Sequence, residues 1–262
     1  MREPIVNSIA IMRDRVAAVL SAKMPTIYLY GSVVLGDFRL GWSDIDILCL
    51  VEQPISPAEA EVLVNLRQAL LAEHPGIPYF RLFEGGMLSW DALRTGRREP
   101  VVYWGTSGQR ITDAYQLDPF SAIVIIKYGK LLCSEDHRDR FTYPSRSDLV
   151  KAVGHHYTAI RKFATVTSAQ VTSCGWLLDI ARCLYTMETD DVIAKTKAGE
   201  WALERNLAPE PEILRRAVEV RKEPQRVLED AGTLAWLASL GPHIQRFADV
   251  LEAKLAKAEI PV

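Results

Sequence analysis

The sequence predicts an α+β fold followed by an all-helical one, and three observations carry that expectation. Apolar runs of strand length, at 26–30, 44–51 and 78–88, alternate with stretches at helical spacing through the first 143 residues. After Tyr143-Pro144 the strand pattern stops, and stretches at 146–165, 172–188, 191–205, 210–221 and 231–258 read as helices. Hydrophobic residues make up 48% of the chain and charged residues 24%, enough apolar material for two packed cores. The expected division is residues 1–143, a mixed sheet with helices, and residues 144–262, a helical bundle.

In order, Ile5, Ile9, Met12, Val16, Val19 and Leu20 fall at helical spacing, giving an amphipathic helix over 5–22. Thr26–Tyr30 is a strand that ends in the turn Gly31-Ser32, and Gly36 and Gly41 punctuate a polar loop before the next strand, 44–51. Ser56-Pro57-Ala58-Glu59 combines a Ser N-cap, Pro at the first helical position and Glu three residues after the cap, so a helix runs from there to about Glu73. The run 78–88 reads as a third strand, its Gly85-Gly86 marking a bulge or a close backbone approach. A short helix follows over 90–94. Val101–Trp104 is compatible with strand or helix, a helix opens at Leu117-Asp118-Pro119, and Lys130–Cys133 is a short strand. Leu234, Leu237, Leu240, Ile244, Phe247, Val250, Leu251 and Leu255 share one helical stripe, which predicts a single helix over 231–258.

Composition excludes several classes of function. The 31 basic and 33 acidic residues leave a net charge of −2, without the basic excess of a protein whose main partner is nucleic acid. A mildly acidic chain is compatible with a small cationic ligand. Cys49, Cys133, Cys174 and Cys183 are scattered through apolar runs with no CxxC pair, which points to buried thiols rather than a disulfide framework. The start Met-Arg-Glu-Pro lacks a signal-peptide core and no apolar run approaches membrane-spanning length, so a cytoplasmic location and no membrane partner are expected.

The chemistry concentrates in Gly31-Ser32, eleven residues, then Asp44-Ile45-Asp46. Strand side chains alternate between faces, so Asp44 and Asp46 point one way and Ile45 and Ile47 the other. Two carboxylates about 4 Å apart repel by roughly 4 kcal/mol at an effective dielectric near 20. A cation between them or a shared proton removes that repulsion. Oxygen-only ligands suit Mg²⁺, which takes one or two carboxylates together with substrate phosphates. A Gly-Ser turn presents backbone N–H groups and a hydroxyl to phosphate. His155-His156 offers no comparable metal site, because adjacent helical positions face different ways and no third ligand stands at metal spacing. Tyr103, Trp104 and Trp176 read either as core or as stacking surfaces for a sugar or base.

Gly-Ser, a spacer of this length and Asp-x-Asp on a strand resemble the signature of the DNA polymerase β-like nucleotidyltransferase superfamily. The form here, Leu29-Tyr-Gly-Ser32 with Ser43-Asp-Ile-Asp-Ile-Leu48, is similar to the aminoglycoside nucleotidyltransferases, in particular the streptomycin/spectinomycin adenylyltransferases. The resemblance continues in Phe83-Glu84 and the segment to Leu93, in Leu117-Asp118-Pro119, and in Leu178-Asp-Ile-Ala-Arg182-Cys-Leu-Tyr185 followed by Lys195 and Gly199-Glu-Trp-Ala-Leu203. It implies a polymerase β-like mixed sheet followed by a helical bundle. It also implies Mg²⁺-dependent transfer of AMP from ATP to a hydroxyl of an aminoglycoside or aminocyclitol antibiotic, with release of pyrophosphate. By the same resemblance Asp44, Asp46 and Glu84 form the catalytic and metal-binding set: Asp44 and Asp46 hold Mg²⁺ together with Glu84, and Glu84 is also the catalytic base. Gly31, Ser32 and Ser43 contact the triphosphate, and Arg182 and Lys195 from the helical half bind its phosphates.

Three departures bear on the acceptor. The spacer before Asp44 is one residue longer than the family's. Residues 163–173, where drug-modifying members carry Trp and acidic side chains, hold no carboxylate here. The run Val218-Glu-Val220 does not supply the aromatic side chain expected near the nucleotide. Two alternatives to a drug-modifying enzyme therefore stay open: an antitoxin-like nucleotidyltransferase acting on a protein, and a non-catalytic nucleotide-binding relative.

Overall fold

The computed structural model describes residues 3–105, 108–227 and 229–258. The chain divides into two compact units, Met1–Val34 with Asp44–Tyr143, and Leu35–Ser43 with Pro144–Val262. The second unit therefore includes Leu35–Ser43, most of the spacer between Gly31-Ser32 and Asp44, a segment that the division at residue 143 leaves with the sheet.

The first unit contains α1 (Glu3–Val19), β1 (Thr26–Tyr30), β2 (Ile45–Val51), α2 (Pro57–Glu73), β3 (Phe83–Ser89), α3 (Trp90–Thr95), β4 (Val101–Gly105), β5 (Gly108–Thr112), α4 (Pro119–Tyr128) and β6 (Lys130–Cys133). The six strands form one mixed sheet in the order β5-β4-β3-β2-β1-β6. Only β2 and β3 pair in parallel; the other described neighbours are antiparallel. A parallel pair needs a crossover, and α2 supplies it. The apolar run Ile47–Val51 is fully buried at the centre of the sheet.

Two strand readings need correction. Residues Pro78–Leu82 form a 3₁₀ turn, and the strand begins only at Phe83. Proline has no N–H for a ladder, and β3 is bonded on both sides, so the proline lies outside it. The sequence reading also passed over β5, an edge strand whose residues are half-buried or exposed and carry no apolar alternation. Val101–Gly105 is a strand, and Trp104 is core: it is fully buried, and its indole Nε1–H donates to the Leu63 carbonyl of α2 at 3.0 Å. Gly85-Gly86 marks a close approach. At Gly85, φ is +146° and a Cβ would lie 1.7 Å from the Ile47 carbonyl oxygen.

The second unit contains α5 (Arg146–Phe163), α6 (Gly175–Thr189), α7 (Lys195–Glu204), α8 (Pro211–Lys222), α9 (Pro224–Val227), α10 (Ala231–Ala238) and α11 (Gly241–Ala258). α6 is the central helix and packs against α5, α7, α8 and α11. Gly199 of α7 permits a close approach to both α8 and α6; a Cβ there would lie 2.6 Å from Val218 and 2.8 Å from Leu178. The single helix expected over 231–258 is two. Pro242 cannot continue a helix from upstream, and Gly241 lies so close to the Thr165 carbonyl that a Cβ would come within 2.1 Å. No helix among the described residues is long and apolar enough to cross a membrane.

The capping box that opens α2 is formed: Ser56 accepts from the Glu59 backbone N–H, and Glu59 accepts from the Ser56 N–H at 2.7 Å. Burial opposes ionisation of Glu59, but the Ser56 hydrogen bonds and Lys23, 2.9 Å away, outweigh it and bring the pKa down to about 2. The folded pKa lies below the unfolded one, so the stabilisation is complete above the ordinary carboxylate range and is lost as pH falls from about 4.5 to about 2. Urea unfolding should find Glu59→Gln less stable than the parent by about 1 kcal/mol at pH 7, with the difference closing below pH 3.

Candidate active site

The first part of the site is a contact between a glycine and an aspartate. Tyr30 pairs with Asp46 across β1 and β2, and the chain then turns at Gly31 with φ +67°. A Cβ on Gly31 would lie 1.8 Å from Asp46 Oδ2. Only glycine leaves room for the carboxylate and adopts this backbone conformation without strain. The Ser32 hydroxyl donates to the Asp44 carbonyl at 3.4 Å, which links the Gly-Ser turn to the start of β2. Ile45 and Ile47 are fully buried while Asp44 and Asp46 are half-buried, as the alternation predicts.

The parallel register then sets Glu84 of β3 opposite Asp46 of β2. Both line a cavity of about 440 Å³ together with Tyr30, Tyr103, Tyr115 and Asp118. The Tyr103 hydroxyl donates to Glu84 Oε1 at 2.7 Å. Burial, followed by the Glu84 carboxylate, raises the Tyr103 pKa, so this phenol stays a proton donor to Glu84. Burial likewise pushes Tyr115 up to about 12, and Tyr115 rests against Gly86, where a Cβ would meet its ring at 2.8 Å. Asp118 accepts from the Phe120 and Ser121 N–H groups at 2.9 and 3.1 Å, which caps α4 and fixes one wall.

Arg67 of α2 is buried and donates to the Phe83 and Gly105 carbonyls and to Gln109 Oε1, at 2.9, 3.0 and 2.8 Å. Burial lowers its pKa, and the charges of Glu84 and Asp44 act in the opposite direction. The guanidinium thus ties the start of β3 to the β4–β5 end and supplies positive potential near the carboxylates. It occupies the stripe Leu63, Leu66, Arg67, Leu70. A lone charge on an apolar helix stripe was the sequence signal for it.

Asp44, Asp46 and Glu84 offer only oxygen donors, which fits Mg²⁺. Among the described residues, the one group of three candidate ligands lying within 4.8 Å of one another is instead His156, Asp179 and Cys183. That group does not suit a cation. Asp179 Oδ1 already accepts from Arg182 at 2.7 Å and lies 3.6 Å from Lys195, and Oδ2 is 2.7 Å from His156 Nδ1. Burial pushes the Cys183 thiol well up, so it keeps its proton.

In the second unit Asp179 instead organises cations. Burial opposes its charge, but Lys195, Arg182 and His156 together hold its pKa well below the ordinary range. Arg182 and Lys195, both expected as phosphate ligands, are therefore brought together. Beside them lies a network that the sequence reading missed. Asp37 accepts from the Thr196 hydroxyl at 2.6 Å and from the Thr196 N–H at 3.3 Å, which caps α7 where Ala194 offers no side-chain acceptor. Buried Arg221 donates to the Asp37 carboxylate at 3.2 Å, to the Asp37 carbonyl at 3.1 Å and to Ser43 Oγ at 3.3 Å. Ser43 also accepts from the Arg39 N–H. Arg221 and Asp179 both had a signal: each is a charge on a buried helix face, Arg221 with Leu214, Ala217 and Val218, and Asp179 within Leu177–Ala181. Asp37, in a polar loop, had none.

Residues 20–77 match a family model described as a nucleotidyltransferase domain, and residues 142–235 match one described as the C-terminal domain of aminoglycoside adenylyltransferase. No curated protein matches the chain. Among solved structures, spectinomycin adenyltransferase AAD(9) from Enterococcus faecialis, with ATP and spectinomycin, has a similar fold. The TM-score is 0.64 over 94% of this chain and 99% of that one, at 13% identity. A toxin–antitoxin structure with AMP-PNP matches at a TM-score of 0.26, over 57% of this chain and 90% of that one at 16% identity, and carries no argument. The chain contains a segment that matches a nucleotidyltransferase domain, and it has the mixed sheet and helical bundle expected of that fold. Within that class, the second family match bears out its resemblance to the aminoglycoside nucleotidyltransferases.

The Gly31–Asp46 contact can be separated from the backbone requirement alone. Gly36 has a similar φ, +71°, but nothing within 4 Å of an added Cβ. Gly36→Ala should cost about 1 kcal/mol in urea unfolding, and Gly31→Ala at least about 1 kcal/mol more.

Proposed function

We propose that the protein transfers AMP from ATP to a hydroxyl of a cationic aminocyclitol or aminoglycoside and releases pyrophosphate, with Mg²⁺ bound by Asp44 and Asp46 next to Glu84. The observation that carries this reading is the cavity in which Asp46 and Glu84, register partners on adjacent strands, stand side by side. Its carboxylates and phenols suit an acceptor that presents both hydroxyl and ammonium groups.

Glu84 takes the proton from the attacking hydroxyl, whose oxygen bonds to the α-phosphorus as the bond from that phosphorus to the bridging oxygen breaks. The Tyr103 hydrogen bond orients the Glu84 carboxylate, one oxygen of which accepts from the phenol. Gly31, Ser32, Ser43, Arg182 and Lys195 are assigned to the nucleotide, the two cations acting on charge that builds on the departing pyrophosphate. Mg²⁺, when bound, neutralises phosphate charge. On this reading residues 1–143 form the catalytic domain, residues 144–262 contribute phosphate ligands, and the enzyme works in the cytoplasm.

The test is mass spectrometry of a panel that includes spectinomycin and streptomycin, incubated with enzyme, ATP and Mg²⁺. One member should gain the mass of a single AMP moiety. Glu84→Gln should slow that transfer by about 10²- to 10⁴-fold, with ATP affinity changed less than about twofold by calorimetry. Near-normal transfer by Glu84→Gln removes Glu84 as the base. ATP binding with no mass gain on any member of the panel contradicts the small-molecule acceptor.

A further inference from the structure

The second unit holds more positive charge than the resemblance assigns. Arg39, Arg182, Lys195 and Arg221 form a continuous set with Asp37 and Asp179. Arg39 and Arg221 both lie against Asp37, at 3.6 and 3.2 Å. Asp37 holds Thr196, the neighbour of Lys195, and Lys195 and Arg182 share Asp179. Four cations thus face two carboxylates. The electrostatics agree with the geometry: Arg221, its pKa lowered first by burial, also feels the charges of Arg39 and Arg182, and Lys195 feels those of Arg182 and Arg221.

The two cations on Asp37 are used differently. Arg221 has a side chain 4% exposed and is bound by the Asp37 carboxylate, the Asp37 carbonyl and Ser43. Its bonds are internal and its role is structural. Arg39 has a side chain 32% exposed. It makes one long ion pair with Asp37 and one bond to the Phe38 carbonyl at 3.3 Å, and its buried Nε has no hydrogen-bond partner among the described residues. The base of that side chain is nevertheless fixed. The Arg39 carbonyl accepts from the Trp42 and Ser43 N–H groups at 3.0 and 2.8 Å, and the Arg39 N–H donates to Ser43 Oγ at 3.0 Å. A guanidinium with spare donors, anchored at its base and linked through Asp37 and Thr196 to the Lys195–Asp179–Arg182 cluster, is an arrangement suited to phosphate oxygens.

We infer that Arg39 is a further nucleotide-binding residue, which contacts the triphosphate together with Arg182 and Lys195 and is held in place by the Asp37–Arg221 pair and Ser43. This rests on the nucleotide reading above and adds a ligand to it. The loop that carries Arg39 is the spacer between Gly31-Ser32 and Asp44, so a segment that looks like a mere connection supplies a phosphate ligand.

The test is titration calorimetry of the full chain with ATP and with AMP, each with Mg²⁺, for the parent, Arg39→Gln and Arg39→Lys. Arg39→Gln should weaken ATP by about tenfold or more and AMP by less than about twofold, with Arg39→Lys recovering part of the loss. A residue that only supports the fold would weaken both nucleotides alike, and that result overturns the inference. ATP affinity unchanged in Arg39→Gln, while the parent binds ATP, overturns the inference alone. No ATP binding by the parent overturns the nucleotide reading and this inference with it.

Discussion

The parallel register between β2 and β3 is the constraint on which the rest of the first unit depends. It sets Glu84 opposite Asp46, and a one-residue slip would send Glu84 to the other face of the sheet. Two features pin it. Gly85 approaches the Ile47 carbonyl more closely than any side chain permits, and Arg67 ties the Phe83 carbonyl to Gly105 and Gln109. The crossover helix that makes the pair parallel also carries Arg67, so one element sets both the topology and the electrostatics around the carboxylates.

In the second unit, two buried carboxylates do work that burial alone would forbid. Asp37 and Asp179 are each 6% exposed or less, and each retains its place because cations and hydroxyl or N–H donors surround it. Ion pairs this deep give up much of their Coulomb energy to desolvation. Their value here is positional: Asp179 fixes Arg182 and Lys195 relative to each other, and Asp37 fixes Arg221, the start of α7 and the loop that bears Arg39.

Much of the fold was legible because local chemistry and tertiary structure agree. The Ser56–Glu59 box, the Asp118-Pro119 cap and the alternation around Asp44 and Asp46 all encode their elements within a few residues. The errors came where long-range contacts decide. Pro78 lies outside a strand because β3 is paired on both sides. The break at Gly241 reflects contact with Thr165, and β5 exists through pairing with β4 rather than through an apolar pattern. The site divides the same way. Asp44, Asp46 and Glu84 sit in motifs, whereas Asp37 and Arg39 lie in a loop whose partners are more than 150 residues away for Asp37. Buried charges such as Arg67, Asp179 and Arg221 were visible as interruptions of apolar helix faces, but their partners were not.

The central claim is that the Asp46–Glu84 cavity supports nucleotidyl rather than phosphoryl transfer. The direct measurement is ³¹P NMR of ATP consumed by the enzyme with Mg²⁺ and an aminocyclitol acceptor. The account predicts a new phosphodiester resonance that grows in step with pyrophosphate. ADP accumulating beside a phosphate monoester of the acceptor would contradict it.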